Sequence, residues 1–192
     1  MFERNVAIDS LKFLAVMFIF NAHSTVLYPV CPWLATGGYV GDALFFFCSG
    51  YTLLLNGRPL GRFDAWYKRR LCRILPSCLA WGVVSSVVFR APLPVIEVFT
   101  GVGWFVSCIL VYYVIIWIVG TFCIRWIRGI LVASVVVCGV ALALVLYYKD
   151  LNPNHWKWFF FFPVMLLGTE LGRVNSKPRG AFCLYAILAI IA

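Results

Sequence analysis

Apolar segments of membrane-spanning length recur along the whole of this 192-residue chain, separated by short polar connections. A helix needs about 20 apolar residues to cross a bilayer, and a soluble chain with 64% hydrophobic and 12% charged residues could not cover so much apolar surface. The pattern therefore predicts an all-α, polytopic transmembrane helix bundle with about seven spans, over 8–28, 37–55, 71–89, 104–123, 130–148, 158–172 and 181–192.

The end of the chain and the distribution of its charges lead to further predictions. The last span is still apolar at Ala192, so the sequence is expected to be a C-terminally truncated single domain over 1–192. Arginines and lysines concentrate in alternate connections, beginning with the basic stretch 56–73, which places the N-terminus in the cytoplasm. The net charge of +9 follows from these connections, and because no extended basic stripe exists, nucleic acid is not an expected partner.

The first apolar segment carries three ionisable residues, Asp9, Lys12 and His23. Ionisable groups at membrane depth are costly, so a chain that keeps them usually uses them. In a helix, Lys12 and His23 lie within roughly 20° of each other and roughly 16 Å apart along the axis, with Lys12 near the membrane edge and His23 near mid-bilayer. His23 is either a packing histidine bonded to a neighbouring helix or a general base with a near-neutral pKa. Asp9 either pairs with Lys12 or complements the helix dipole.

Two further groups of polar residues are candidates for a site. Arg70 and Arg73 stand three apart at the entry to the third span, so both guanidinium groups can reach one anion, although lipid phosphates would serve equally well. In the second span, Asp42 lies near the extracytoplasmic end. The Ser49-Gly50-Tyr51 step in the same span indicates either a close helix contact or the wall of a pocket.

The cysteines and histidines do not form a recognisable metal motif. The 8 cysteines include no CxxC pair and lie mostly inside apolar segments, where they act as small hydrophobic residues. The second histidine, His155, falls in a loop expected on the opposite side of the membrane from Lys12. No metal site is therefore predicted.

Four motifs, in this order, resemble the acyltransferase 3 family of multi-pass membrane O-acyltransferases. They are RNVAIDSLKFLAVMFIFNAHS in the first span, FFFCSGY in the second, RRLCRILP at the third, and Trp104-Phe105 at the fourth. The family has an arginine where this chain has Lys12, which keeps the charge but loses the planar fork. Asp42 also lies one place earlier than the family pattern leads us to expect.

The resemblance implies transfer of an acyl group, most often acetyl, from acyl-CoA at the cytoplasmic face to a hydroxyl of a cell-envelope polysaccharide or glycolipid. It implies a multi-pass protein of the cell inner membrane, with acyl-CoA as co-substrate and no metal. The residues it singles out are His23 for catalysis, Lys12, Arg70 and Arg73 for the phosphates of acyl-CoA, and Asp9, Asp42, Ser49 and Trp104 as support for the site. The acceptor, the acyl chain length and the oligomeric state do not follow from it.

The residues alone leave two other functions open. A multi-pass proton-coupled transporter or flippase would use His23, Asp9 and Asp42 as a proton or substrate path, although no repeat relates two halves of the chain. A non-catalytic membrane scaffold is the third interpretation, and the polar face of the first span argues against it only weakly.

Overall fold

The computed structural model describes residues 6–57, 59–89, 104–147 and 157–174. Within these ranges the chain is helical and has no β-strand, which confirms the predicted all-α class. The helices are α1 (Val6–Ala22), α2 (Gly38–Leu53), α3 (Phe63–Phe89), α4 (Trp104–Phe122), α5 (Ile127–Tyr147) and α6 (Lys157–Val174).

Three of these helices, α3, α4 and α5, are long and apolar enough to cross a membrane. They correspond to the third, fourth and fifth predicted spans. The number of seven spans and the cytoplasmic N-terminus remain predictions. The predicted seventh span, 181–192, lies outside the described residues.

The helices group into two compact units, and the first contains α1, α2, α5 and α6. Its core lies where α1 and α6 pack against α2, around the buried side chains of Leu11, Ala15, Leu44 and Phe47. The helices α1 and α2 run antiparallel. A Cβ added at Gly38 would meet Ala22 at the end of α1, and the Cys48 thiol, near the end of α2, reaches the Ile8 carbonyl.

Glycines bring the backbones of α2 and α6 into direct contact. A Cβ added at Gly50 would collide with the Met165 carbonyl, and one added at Gly168 would collide with the Phe47 carbonyl. Gly172 stands in the same relation to Tyr51 one turn further along. Small residues spaced four apart allow helices in a membrane to approach this closely. Of the two alternatives left open for Ser49-Gly50-Tyr51, the structure therefore shows the close helix contact at Gly50.

A buried carboxylate joins α5 to α6. Glu170 is only 6% exposed and accepts hydrogen bonds from Arg173 on its own helix and from Arg128 at the start of α5, both at 2.7 Å. The spacing of three residues on one helix accounts for the pairing of Glu170 with Arg173. Arg128 adds a link between helices that spacing within one helix cannot reveal.

The second unit contains α3 and α4. Aromatic side chains connect the two helices: Trp66 meets Tyr113 edge to face at 6.0 Å, and Phe63 meets Trp117 at 5.1 Å. The Trp117 indole also donates a hydrogen bond to the Gly61 carbonyl, which anchors the start of α3.

Two predicted span boundaries are wrong. The helix α3 begins at Phe63, so its first turns contain four basic residues predicted as part of a connection: Lys68, Arg69, Arg70 and Arg73. The helix α1 ends at Ala22, six residues before the predicted end of the first span. The Asn21 amide donates to the Leu34 and Thr36 carbonyls and turns the chain back, and two prolines further along, Pro29 and Pro32, cannot continue a helix.

Candidate functional site

His23 lies one residue beyond the end of α1, rather than within the helical first span as predicted. Its depth in the bilayer stays a prediction. Its backbone nitrogen still bonds to the last helical turn, 3.2 Å from the Ile19 carbonyl and 3.1 Å from the Phe20 carbonyl. The side chain is exposed, and within the described ranges no hydrogen bond or ion pair involves its imidazole. The structure therefore gives no support to a packing histidine bonded to a neighbouring helix.

Lys12 and His23 lie on the same flank of α1. The helix buries the face that contains Ile8, Leu11 and Ala15 against α2. At 100° per residue, Lys12 and His23 both project about 70–90° away from the centre of that face, in the same rotational direction. Lys12 is half-buried, whereas His23 is exposed at the helix end.

Asp42 and Ser49 lie on a second stripe, on α2. They are seven residues apart, which leaves them within roughly 20° of each other and roughly 10 Å apart along the axis. The side of α2 that contains Gly41 faces α1, and the side that contains Gly50 faces α6. Asp42 and Ser49 occupy the remaining sector, and both are half-buried.

The flank of α1 with Lys12 and His23 and the stripe of α2 with Asp42 and Ser49 project to the same side of the helix pair. In each helix, consider the residues that come next after the contact face when the turns are followed from the N-terminus to the C-terminus. Because α1 and α2 are right-handed and antiparallel, these residues project to the same side of the pair. Lys12, His23, Asp42 and Ser49 all do so. We call these four residues the polar side of the α1–α2 pair.

Two further charged residues, Lys157 and Asp9, lie on the same helix unit as the polar side. Lys157, at the start of α6, attracts the Asp42 carboxylate electrostatically, and its ammonium lies 5.2 Å from the centre of the Tyr39 ring. Asp9 is half-buried and lines a shallow groove along the outer face of α1 together with Ser10 and Phe13. Asp9 therefore belongs to a different face from the one that packs against α2.

Arg70 and Arg73 lie in the second unit, on the first turns of α3. Arg70 is half-buried, and its guanidinium carbon lies 5.5 Å from the centre of the Trp66 ring. Trp66 is itself buried against Tyr113, so the aromatic pair holds the arginine stem in place. Arg73 follows on the same face one turn later and is exposed. The two cations can thus reach a single anion.

Trp104 is the first residue of α4, in the same unit as Arg70. It is half-buried and packs edge to face against Phe105, with ring centres 5.9 Å apart. This contact is between sequence neighbours, so it shows a local aromatic packing and no ligand-binding geometry.

Sequence reasoning missed three residues that surround the candidates. Trp66 and Tyr113 hold Arg70, and Lys157 acts on Asp42. Trp66 could have been found, because its spacing of four residues before Arg70 puts both on one helix face. Tyr113 and Lys157 lie far from their partners in sequence, and only the fold reveals them.

Comparison with known proteins identifies one relationship. A family model described as an acyltransferase domain, Acyl_transf_3, matches residues 5–192. No curated protein matches the chain. No solved structure matches it either.

Proposed function

The chain belongs to the acyltransferase 3 family, and from this membership we propose that it transfers an acyl group, in the first instance acetyl, from acyl-CoA to a hydroxyl of a cell-envelope polysaccharide or glycolipid. The observation that carries the assignment of a catalytic residue is the exposed imidazole of His23. It shares one side of the α1–α2 pair with Lys12, Asp42 and Ser49. The proposal includes a multi-pass location in the cell inner membrane with a cytoplasmic N-terminus.

His23 serves as the general base in this proposal. Its imidazole accepts the proton of the acceptor hydroxyl, the hydroxyl oxygen attacks the thioester carbonyl, and the carbon–sulfur bond breaks to release the coenzyme A thiolate. The proton on the imidazole then passes to that thiolate. A two-step route, in which His23 first takes the acyl group itself, uses the same residue and differs by an acyl-imidazole that an acid quench would trap.

Asp42 and Ser49 support the site in a polar role. Both project to the same side as His23, and the Ser49 hydroxyl can donate a hydrogen bond to a sugar oxygen or to the thioester carbonyl. The carboxyl group of Asp42 can accept a hydrogen bond from the acceptor. Asp9 and Trp104 have no assigned step.

Arg70 and Arg73 bind the phosphates of acyl-CoA. Arginine forks pair with phosphate oxygens in a bidentate manner, and the packing of Trp66 against Arg70 reduces the side-chain entropy that binding would otherwise remove. The resemblance to the family also makes Lys12 a candidate cation for acyl-CoA.

Removing the two arginines together is expected to weaken acyl-CoA binding. For Arg70→Ala/Arg73→Ala we expect the Kd to rise about 100-fold, since each charge-assisted hydrogen bond contributes at least about 1.5 kcal/mol. Isothermal titration of the protein in nanodiscs with acetyl-CoA measures this. The control is Arg62→Ala, because Arg62 is exposed in the same unit and already paired with Asp64 at 3.0 Å. Undiminished binding by the double variant, or an equal loss in the control, would contradict the assignment.

Lys12 tests whether the departure from the family pattern matters. Lys12→Met is expected to raise the KM for acetyl-CoA about tenfold with little change in kcat, because it removes a cation and keeps the length of the stem. Lys12→Arg restores the fork and is expected to match or improve on the wild-type KM. Steady-state rates over a range of acetyl-CoA concentrations measure both. An unchanged KM in Lys12→Met would remove Lys12 from the ligand site.

A further inference from the structure

The loop that follows α1 exposes several large apolar side chains. This loop, residues 23–36, contains no aspartate, glutamate, lysine or arginine. Three of its apolar side chains are largely exposed: Val26 at 88%, Val30 at 84% and Trp33 at 72%. Exposure of apolar side chains to water is unfavourable, so an apolar surrounding stabilises them.

The side chain of Asn21 holds this loop in place. Its amide donates to the Leu34 carbonyl at 2.7 Å and to the Thr36 carbonyl at 3.0 Å. Its own oxygen accepts a hydrogen bond from the Tyr28 hydroxyl at 2.7 Å. The apolar side chains therefore point outward from an ordered loop whose two arms are tied to the end of α1.

The loop also satisfies much of its backbone without water. Two 3₁₀ turns, Thr25–Leu27 and Pro32–Leu34, provide internal hydrogen bonds, including Tyr28 N–H to the Thr25 carbonyl at 3.0 Å and Ala35 N–H to the Pro32 carbonyl at 3.1 Å. Internal pairing of this kind is what a low-water environment requires of the backbone. The outer face of α1, where Phe13, Met17 and Phe20 are exposed, continues the apolar surface of the loop.

From these observations we propose that the loop 23–36 docks into the headgroup interface of the bilayer, with Val26, Val30 and Trp33 as its anchors. Irregular backbone is not stable in the hydrocarbon core, whereas a tryptophan-bearing apolar surface is suited to the interface. The helix α1, with 17 residues, extends about 26 Å, slightly less than the bilayer core, so in the proposed multi-pass arrangement a loop at its end would lie at interfacial depth. His23 begins this loop and is held at the same level. The proposal stands independently of acyl transfer.

Depth-dependent fluorescence quenching tests this docking. Dansylalanine is introduced at Val30 of the full chain, in phosphatidylcholine vesicles that carry bromine at carbons 6 and 7 or at carbons 11 and 12 of one acyl chain. The same probe at Val137, on the exposed apolar face of α5, is the lipid reference, and at Arg62 it is the aqueous reference. The native cysteines and tryptophans stay in place, and Val26 is a second probe site.

We expect the shallow bromines, at carbons 6 and 7, to quench the probe at Val30 more than the deep ones at carbons 11 and 12. We also expect aqueous acrylamide to quench this probe at least about threefold less than the probe at Arg62. Acrylamide quenching equal to that at Arg62 with no effect of brominated lipid would overturn the proposal. Stronger quenching by the deep bromines would also overturn it, since it would place the loop in the hydrocarbon core. The probe at Val26 must give the same ranking.

Discussion

Replacing His23 with alanine is expected to lower the rate of acyl transfer about 10²–10⁴-fold, the usual contribution of a positioned general base. The substitution removes an exposed imidazole that lies one residue beyond α1, so it should leave the packing of α1 on α2 intact. Initial rates of acetyl transfer, measured on protein whose elution from a sizing column matches the wild type, report the loss.

Two further variants separate catalysis from structure. His23→Gln keeps hydrogen bonding but does not titrate, so we expect it to be as slow as His23→Ala. His155→Ala removes the other histidine of the chain and is expected to retain the wild-type rate. Acyl transfer by His23→Ala within about threefold of the wild-type rate would contradict the assignment of His23 as the base.

Adding one methyl group at Gly50 is expected to disrupt the fold of the first unit. In Gly50→Ala the new Cβ collides with the Met165 carbonyl and lies 2.9 Å from the Thr169 hydroxyl, and a backbone carbonyl cannot move aside as a flexible side chain can. Overpacking of this kind typically costs about 1–3 kcal/mol, and more where backbones are in contact. The effect is measured by heating the protein in detergent and recording the temperature at which the monodisperse protein is lost.

Gly139→Ala is the matched control for this prediction. Gly139 lies in α5, where an added Cβ meets nothing within 4 Å, so the variant should unfold at or above the wild-type temperature. Equal stability of Gly50→Ala and wild type would show that α2 and α6 separate easily. The glycine of the FFFCSGY motif would then need a role other than helix packing.

Hydropathy predicted the bounds of α4 well. The predicted fourth span, 104–123, differs from α4 by a single residue, because glycine and arginine flank that segment. The first span fails for a physical reason: the loop after α1 is itself apolar, so the apolar run continues to Tyr28 although the helix ends at Ala22. Hydropathy reports burial in lipid or protein and does not distinguish a helix from an apolar loop.

The residues of the candidate site could be nominated from sequence, but their grouping could not. Spacing predicted Lys12 and His23 on one face and Arg70 and Arg73 on another. Arg70 and Arg73 lie in one helix, α3, whereas His23 lies one residue beyond the end of α1. That Asp42 and Ser49 project to the same side as Lys12 depends on how α2 packs on α1. That packing is set by Gly41, where a Cβ would collide with the Ile19 side chain and the Ala15 carbonyl. Contacts between distant segments have no periodic signature in a single sequence.

Transfer of label from acetyl-CoA tests the proposed function most directly. The purified protein in vesicles is incubated with acetyl-CoA labelled in the acetyl group and with a cell-envelope fraction as acceptor. Free coenzyme A thiol and acceptor-bound label are then measured together. We predict that label appears in the envelope glycans as base-labile ester, in equal amounts to the thiol released, and that both depend on His23. Proton or substrate flux across the vesicle membrane without release of coenzyme A would contradict acyl transfer and favour a transporter.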